Sequence, residues 1–306
     1  MKIRLNDISC YLSELGIEHR TVGNLEKEID GFSSIDNYRV GTLTWVKSKE
    51  RIQKAELLSL DGIIAIVQEG QDVNVKYGIY TNESKRAFFT VIEHFFTDNV
   101  SKPSIGQGVY LSQEVKLGEN VIIGANSVLD GDIYIGNGTV IEPCTVILNK
   151  VTIGENCYIQ AGVCIGIAGY GYTEDEYHKK TMIKHYGGVR IGNRVFIGSH
   201  TNIARGTIDD TVIEDGVKIA PSTHIGHNNH IKENASIVCS ILHGSVKTGN
   251  NAYVAASVVR NQITIGDNSI IGMGSIVHKD VPDEMVVLGN PAKPIARNTD
   301  GKPFKL

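Results

Sequence analysis

The stretch THIGHNNHI at residues 223–231 sets His224, His227 and His230 three apart. Imidazoles at that spacing admit three chemistries: ligation of a metal, proton transfer by one of them, or plain solvation of turn residues. On an α-helix, residues three apart share a face, and the metal reading would lead. The backbone that carries them decides between these readings.

That backbone is legible as a repeat. Stepping by six from Ile105 gives Leu111, Leu117, Ile123, Leu129, Ile135, Ile141, Ile147, Ile153, Ile159 and Ile165, every one Ile or Leu. Glycine follows the step at 106, 118, 124, 136, 154 and 166. This is the hexapeptide signature of a parallel β-helix, in which three six-residue sides close one triangular coil and the Ile or Leu points inward. Successive coils then stack at about 4.8 Å, the spacing of paired strands. The register stops after Gly166. Residues 167–188, IAGYGYTEDEYHKKTMIKHYGG, are charged and tyrosine-rich and read as a loop thrown out from the coil. It resumes at Ile191, Ile197 and Ile203, slips at RGTIDDT, returns from Ile213 to Ile237, weakens, and reappears at Ile265, Ile271 and Val277.

The expected fold is therefore mainly β: a parallel β-helix over 103–281, preceded by a small α/β domain over 1–102 and followed by a tail over 282–306. In the first domain, NDISCYLSELG reads as a helix capped by Asn6 or Asp7. LTWV (43–46) and GIIAIVQ (62–68) read as strands, and ESKRAFFTVIEHFF (83–96) as a second helix. Lys102-Pro103 marks the boundary, and Pro282, Pro291 and Pro294 argue against further coils in the tail. A formal charge of −4 gives no basic footprint for nucleic acid. No apolar run reaches the roughly 18 residues of a membrane span, and the N-terminus does not read as a signal peptide. Five dispersed cysteines without a CxxC pair fit reduced thiols and a cytoplasmic location.

On such a coil, Ile225 and Ile231 are inward positions. His224 and His230 each precede one, so they occupy equivalent places on successive sides, about 120° apart in a triangular coil. Residues on different sides cannot converge on one ion, which argues against a metal. His227 follows an inward position by two, where side chains point outward. It is either a solvated turn residue or, where flat faces of several copies pack together, a base in a cleft between chains. Cys164 and Cys239 are weaker candidates for a nucleophile, since cysteines of such coils commonly fill the core.

Nearly the whole chain resembles the UDP-3-O-acylglucosamine N-acyltransferase family of lipid A biosynthesis. The resemblance rests on the layout, the GYGY excursion at 169–172, and above all RGTIDDTVIEDGVKIAPSTHIGHNNHI at 205–231. It implies a left-handed β-helix, a homotrimer with active sites between subunits, and His227 as catalytic base. Gly244, 17 residues on, would offer its N–H to the thioester oxygen. Asp209, Asp210, Asn228, Tyr170 and Tyr172 would meet the acceptor, and Trp45 would face the nucleotide base, the alternative for Trp45 being a core or strand-face aromatic.

Two features depart from that family. Gln262 stands where the family has a histidine that touches its carrier-protein donor, and the family's helical extension is not matched. Instead, IGMGSIVHKDVPDEMVVLGNPAKPI (271–295) is similar to the end of coenzyme A-dependent acetyltransferases. We therefore expect acyl-CoA as co-substrate, held by Gly244, Ser245, Gln262, Gly274, Asn290 and Pro291, with no metal. The expected acceptor is the amine of a dTDP- or UDP-linked amino-deoxy sugar for surface polysaccharide or O-antigen. Two other readings stand beside this one: the carrier-protein-dependent reaction of lipid A biosynthesis, and a non-catalytic β-helix binding protein. Hexapeptide carbonic anhydrases share the look of ILHGSV and IGMGSIV, but their histidine pair five residues apart has no counterpart around His227 or His243.

Overall fold

A computed structural model describes residues 2–50, 62–97, 104–291 and 293–297. The Lys102-Pro103 boundary and the end of the tail lie outside the described residues. The chain divides into two compact units, 1–101 and 102–306.

The first unit carries a four-stranded sheet in the order Arg20–Val22, Tyr77–Thr81, Ile64–Gln68, Leu43–Val46. The first pair is antiparallel and the other two are parallel. Helix α1 (Leu5–Glu14) buries Leu5, Ile8 and Leu12, and helix α2 (Ser84–Phe96) buries Ala87, Phe88 and Val91. These apolar residues recur every three to four positions and form one stripe on each helix, which joins the sheet in a common core. The cap of α1 differs from expectation. The carbonyls of Lys27 and Leu25 accept the N–H groups of Leu5 and Asn6, each at 3.0 Å, so the helix starts at Leu5 with Arg4 as the N-cap. Asp7 lies inside the first turn and accepts the Arg4 N–H at 2.8 Å.

The second unit is the β-helix. Among the described residues its three faces hold nine, eight and ten strands. We call these faces I, II and III, after strands Tyr110–Leu111, Lys116–Leu117 and Ile122–Ile123, which begin them in chain order. Coils pair in parallel at an 18-residue offset, as in Tyr110 with Val128 and Val128 with Val146. Inward Ile, Leu and Val form one continuous core from Val121 to Val287. The weak stretch after Ile237 has a simple cause. Two sides are one residue short, Ile237 to Leu242 and Val254 to Val259, and the inward position between them is a threonine, Thr248. The tail adds to the helix. Met285–Leu288 pairs in parallel on face III, and Lys293–Arg297 folds back antiparallel onto it.

Both insertions into the repeat fall on one corner. The excursion leaves after Cys164–Ile167 on face I and re-enters at Val189–Ile191 on face II. It is a hairpin rather than a plain loop, with Tyr172–Glu174 antiparallel to Lys180–Met182. The slip at RGTIDDT lies one coil later, between Asn202–Ala204 on face I and Thr211–Ile213 on face II. His227 follows on the same corner of the next coil, between His224–Ile225 and His230–Ile231.

Candidate active site

His224 lies in the face I sheet and His230 in the face II sheet. Each has its own partner. His224 Nδ1 bonds Asn202 Oδ1, and His230 Nε2 meets Glu214 Oε1 at 2.5 Å. His227 stands between them, half-buried on the corner.

The neighbour that orients His227 is Asn228. The Oδ1 of Asn228 accepts the Thr207 N–H at 3.0 Å and the Thr207 hydroxyl at 2.9 Å, while its Nδ2 donates to the Asp209 carbonyl at 2.9 Å. The Asn228 amide is therefore fixed with its oxygen toward Thr207. His227 Nδ1 lies 3.0 Å from that same oxygen, so Nδ1 must carry the proton and donate. The lone pair of the imidazole is then on Nε2, free to accept a proton. Asn228 is at φ 58, a left-handed turn that asparagine tolerates well.

Below the imidazole lies Gly244. The coil after His227 has 17 residues, with His224 paired to Ile241, so Gly244 falls directly under His227. A Cβ on Gly244 would stand 2.6 Å from both Cε1 and Nε2 of His227. Only glycine leaves room for the ring. Ser245 donates its N–H to the His227 carbonyl at 2.8 Å, and Gln262 donates its N–H to the Gly244 carbonyl at 3.0 Å. His227, Gly244, Ser245 and Gln262 thus form one column over three coils. Among the described residues no acceptor takes the Gly244 N–H. A lone pair on Nε2 beside an unpaired amide donor is a base next to an anion-stabilising group.

The remaining expected residues fall into other places. Gly274 donates its N–H to Ala256 on the corner between faces III and I, and Gly289, next to Asn290 and Pro291, bonds Ser275 there. Within one chain these three residues lie on a different corner from His227. Asp209 offers its backbone carbonyl to Asn228, and Asp210 accepts the Gly188 N–H at 2.7 Å and meets Arg190 at 3.3 Å. The contacts of both pin the inserted segment and the excursion. Tyr170 and Tyr172 pack edge to face on the excursion, 5.8 Å between centroids, and Tyr170 is 75% exposed. Burial raises the Cys164 thiol above its ordinary value, which disfavours a thiolate nucleophile.

Several residues at this corner were not singled out by the sequence. Asn229, fully buried, ties the coil of His227 to the next through bonds from Nδ2 to the carbonyls of Gly226 and His243. Thr207 and His185 complete the surroundings of Asn228 and His227. Burial, with smaller contributions from His227 and Arg205, lowers the His185 pKa against its ordinary value.

Trp45, in the first unit, lines a cavity of about 480 Å³ with Phe32, Ser33, Thr44, Lys47 and Phe89. Its Nε1–H donates to Ser84 Oγ at 3.0 Å. Thr44 is fully buried, and among the described residues its hydroxyl has no partner.

The repeats match two family models, "Bacterial transferase hexapeptide (six repeats)" over 132–166 and "Hexapeptide repeat of succinyl-transferase" over 249–279. The chain is 34% identical over 171 residues to UDP-3-O-acylglucosamine N-acyltransferase of Janthinobacterium sp. (strain Marseille), covering 55% of this chain and 48% of that one. To the protein of the same name from Hydrogenovibrio crunogenus it is 28% identical over 263 residues, covering 78% and 73%. The match to Herminiimonas arsenicoxydans again spans about half of the relative, 47%. Among solved structures, the UDP-N-acetylglucosamine acyltransferase of Francisella novicida aligns with TM-score 0.59 at 25% identity, over 64% of this chain and 71% of that one. The Arabidopsis enzyme of that name aligns with TM-score 0.54 at 28% identity, over 65% and 73%.

The fold is thus the left-handed parallel β-helix of the hexapeptide acyltransferases. The relatives also correct one expectation. They carry the name UDP-3-O-acylglucosamine N-acyltransferase, against a dTDP-linked amino-deoxy sugar of surface polysaccharide. The expectation leaned on Gln262 and the 271–295 end, which concern the donor and carry no information about the acceptor.

Proposed function

We propose that this hexapeptide-repeat β-helix is an N-acyltransferase that moves an acyl group from a pantetheine thioester to the amine of a UDP-linked, 3-O-acylated glucosamine. The observation that carries this is the corner column, in which Asn228 sets the tautomer of His227 and Gly244 lies under its Nε2. The names of the relatives supply the acceptor class.

The chemistry follows from those atoms. The neutral amine attacks the thioester carbonyl carbon, and a C–N bond forms. The carbonyl oxygen becomes an oxyanion, which the Gly244 N–H can hold without a side chain. The attacking nitrogen now carries an excess proton, and His227 Nε2 takes it. Collapse breaks the C–S bond, and the thiolate leaves with the proton from the imidazolium. Amide and free thiol are the products, and His227 returns to its starting tautomer.

The expectation of acyl-CoA as donor rests on Gln262 and the 271–295 end. Coenzyme A and an acyl carrier protein present the same pantetheine arm, so the assay supplies each in turn. Thiol release and product mass are read with UDP-3-O-acylglucosamine as acceptor. An N-acylated UDP-sugar with either donor supports the reading, and thiol release without amide, or neither product, overturns it. We place the nucleotide base against Trp45 in the first unit. Its cavity offers aromatic walls and a Thr44 hydroxyl with no partner among the described residues, a setting that suits a planar heterocycle with polar edges. Weaker binding of uridine monophosphate by Trp45→Ala, measured by calorimetry, is the expected result. We also propose that the active unit is a trimer.

A further inference from the structure

The excursion delivers one buried histidine that the reaction above does not use. His185 is 6% exposed. Its Nδ1–H donates to the Ile183 carbonyl at 3.2 Å, which leaves a lone pair on Nε2, and that buried atom has no partner among the described residues. The His185 ring stands edge to face with His227 at 5.2 Å between centroids and 68° between planes. Both rings close on Gly169. A Cβ there would lie 2.9 Å from His185 Nε2 and 2.9 Å from Cβ and Cδ2 of His227.

A second route joins the same two residues. The Tyr186 N–H donates to the Thr207 carbonyl at 2.8 Å. Arg205 holds the segment from the other side, donating to the carbonyls of Tyr186 at 2.9 Å and Gly187 at 2.5 Å. Thr207 donates to Asn228, whose oxygen receives the His227 Nδ1–H. His185 is thereby fixed to the corner through its backbone and meets the base through its ring.

We infer that His185 is a positioning residue for proton transfer by His227; this rests on the acyl-transfer reading above. One hydrogen bond, from His227 Nδ1–H to Asn228 Oδ1, sets which nitrogen carries the proton, but leaves the ring free to tilt about Cβ–Cγ, a soft torsion in histidine. The His185 ring removes that freedom and holds Nε2 above Gly244. A phenyl ring would pack as well and would not bury an unmet acceptor, which is unfavourable. The lone pair finds its use when His227 takes up a proton, since the negative end of a neutral imidazole dipole then lies beside a cation. Burial lowers the His185 pKa, which favours the neutral ring this requires.

The test compares His185→Ala, which removes ring and lone pair, with His185→Phe, which keeps a ring. Both are measured beside His227→Ala with UDP-3-O-acylglucosamine and the acyl donor. His185→Ala should lose about 10- to 100-fold in kcat, the range for a supporting partner, with KM for either substrate changed less than about twofold. His185→Phe should recover part of that loss but not all of it. A kcat within about twofold of wild type for His185→Ala, or a loss confined to KM, overturns the inference. His227→Ala separates the two levels. If it is inactive while His185→Ala is intact, only the positioning role falls; if it too is fully active, His227 as base falls with it; and if the wild type forms no amide, the acyl-transfer reading itself falls.

Discussion

Gly244 and Asn228 make the sharpest separable demands on the site. Gly244 has no positive φ, so an alanine there fits the backbone and its effect is steric alone. Its Cβ would overlap Cε1 and Nε2 of His227 at 2.6 Å and push the imidazole off the column. Gly244→Ala should fold, and should lose about 100-fold or more in kcat, the scale set by a misplaced catalytic group. Wild-type turnover in that variant would mean the ring does not work from this position. Asn228 poses the complementary question. Asn228→Asp keeps an oxygen for His227 and Thr207 and loses only the bond to the Asp209 carbonyl. It should retain far more activity than Asn228→Ala, which loses the acceptor and also strains a left-handed backbone. Equal kcat in the two variants would argue against a tautomer set by residue 228. The outward corner position of His227 was legible because it sits in register with the repeat, whereas Gly244, past a side one residue short, was reached only through the family resemblance. His185 was not, because residues 167–188 carry no repeat from which a direction could be read.

The excursion and the inserted 205–210 segment are joined by hydrogen bonds rather than by a common core. Their stability should follow His185, buried on the excursion, and the half-buried His224 on face I beside the corner. Burial lowers the pKa of His185, and burial with His243 and His227 nearby lowers that of His224. The unfolded chain therefore binds protons first as the pH falls. The stability supplied by the two neutral rings is present above the unfolded value of about 6.5 and is lost as pH drops through their lower folded values. Thermal unfolding midpoints should hold steady above about pH 7 and fall below about pH 6.5, and His185→Phe should flatten part of that fall. A wild-type midpoint that stays level through that window would contradict this. The same elements mark the limit of reading the fold from the sequence. The period of six exposes each coil while every side has six residues. It fades where Ile237 to Leu242 and Val254 to Val259 are one residue short and Thr248 turns inward. The hairpin at 172–182 was hidden because all six of its strand residues are exposed, so no apolar alternation marks it.

The β-helix as a whole leaves flat faces to be covered. Face I presents Tyr110, Ile241 and Ile276 outward at 53%, 43% and 41% exposure, in line with Val128, Val146 and Val258 and with Cys164, Asn202 and His224 between the two apolar runs. A row of that kind along one face is the sort of surface that closed symmetry buries. Light scattering should give about three times the chain mass of 33.3 kDa, and a single-chain mass at micromolar concentration would contradict the trimer. No helix among the described residues is long and apolar enough to cross a membrane. Everything proposed for the molecule returns to the imidazole that the corner holds over Gly244. Steady-state kinetics of His227→Ala, with product identified by mass, therefore bear hardest on the account. The side chain is half-buried on the outer corner and outside the apolar core, so the variant should fold as wild type does. It should form the amide about two to four orders of magnitude more slowly, the range for a positioned general base. Amide formation at most of the wild-type rate by a folded His227→Ala would show that the base lies elsewhere.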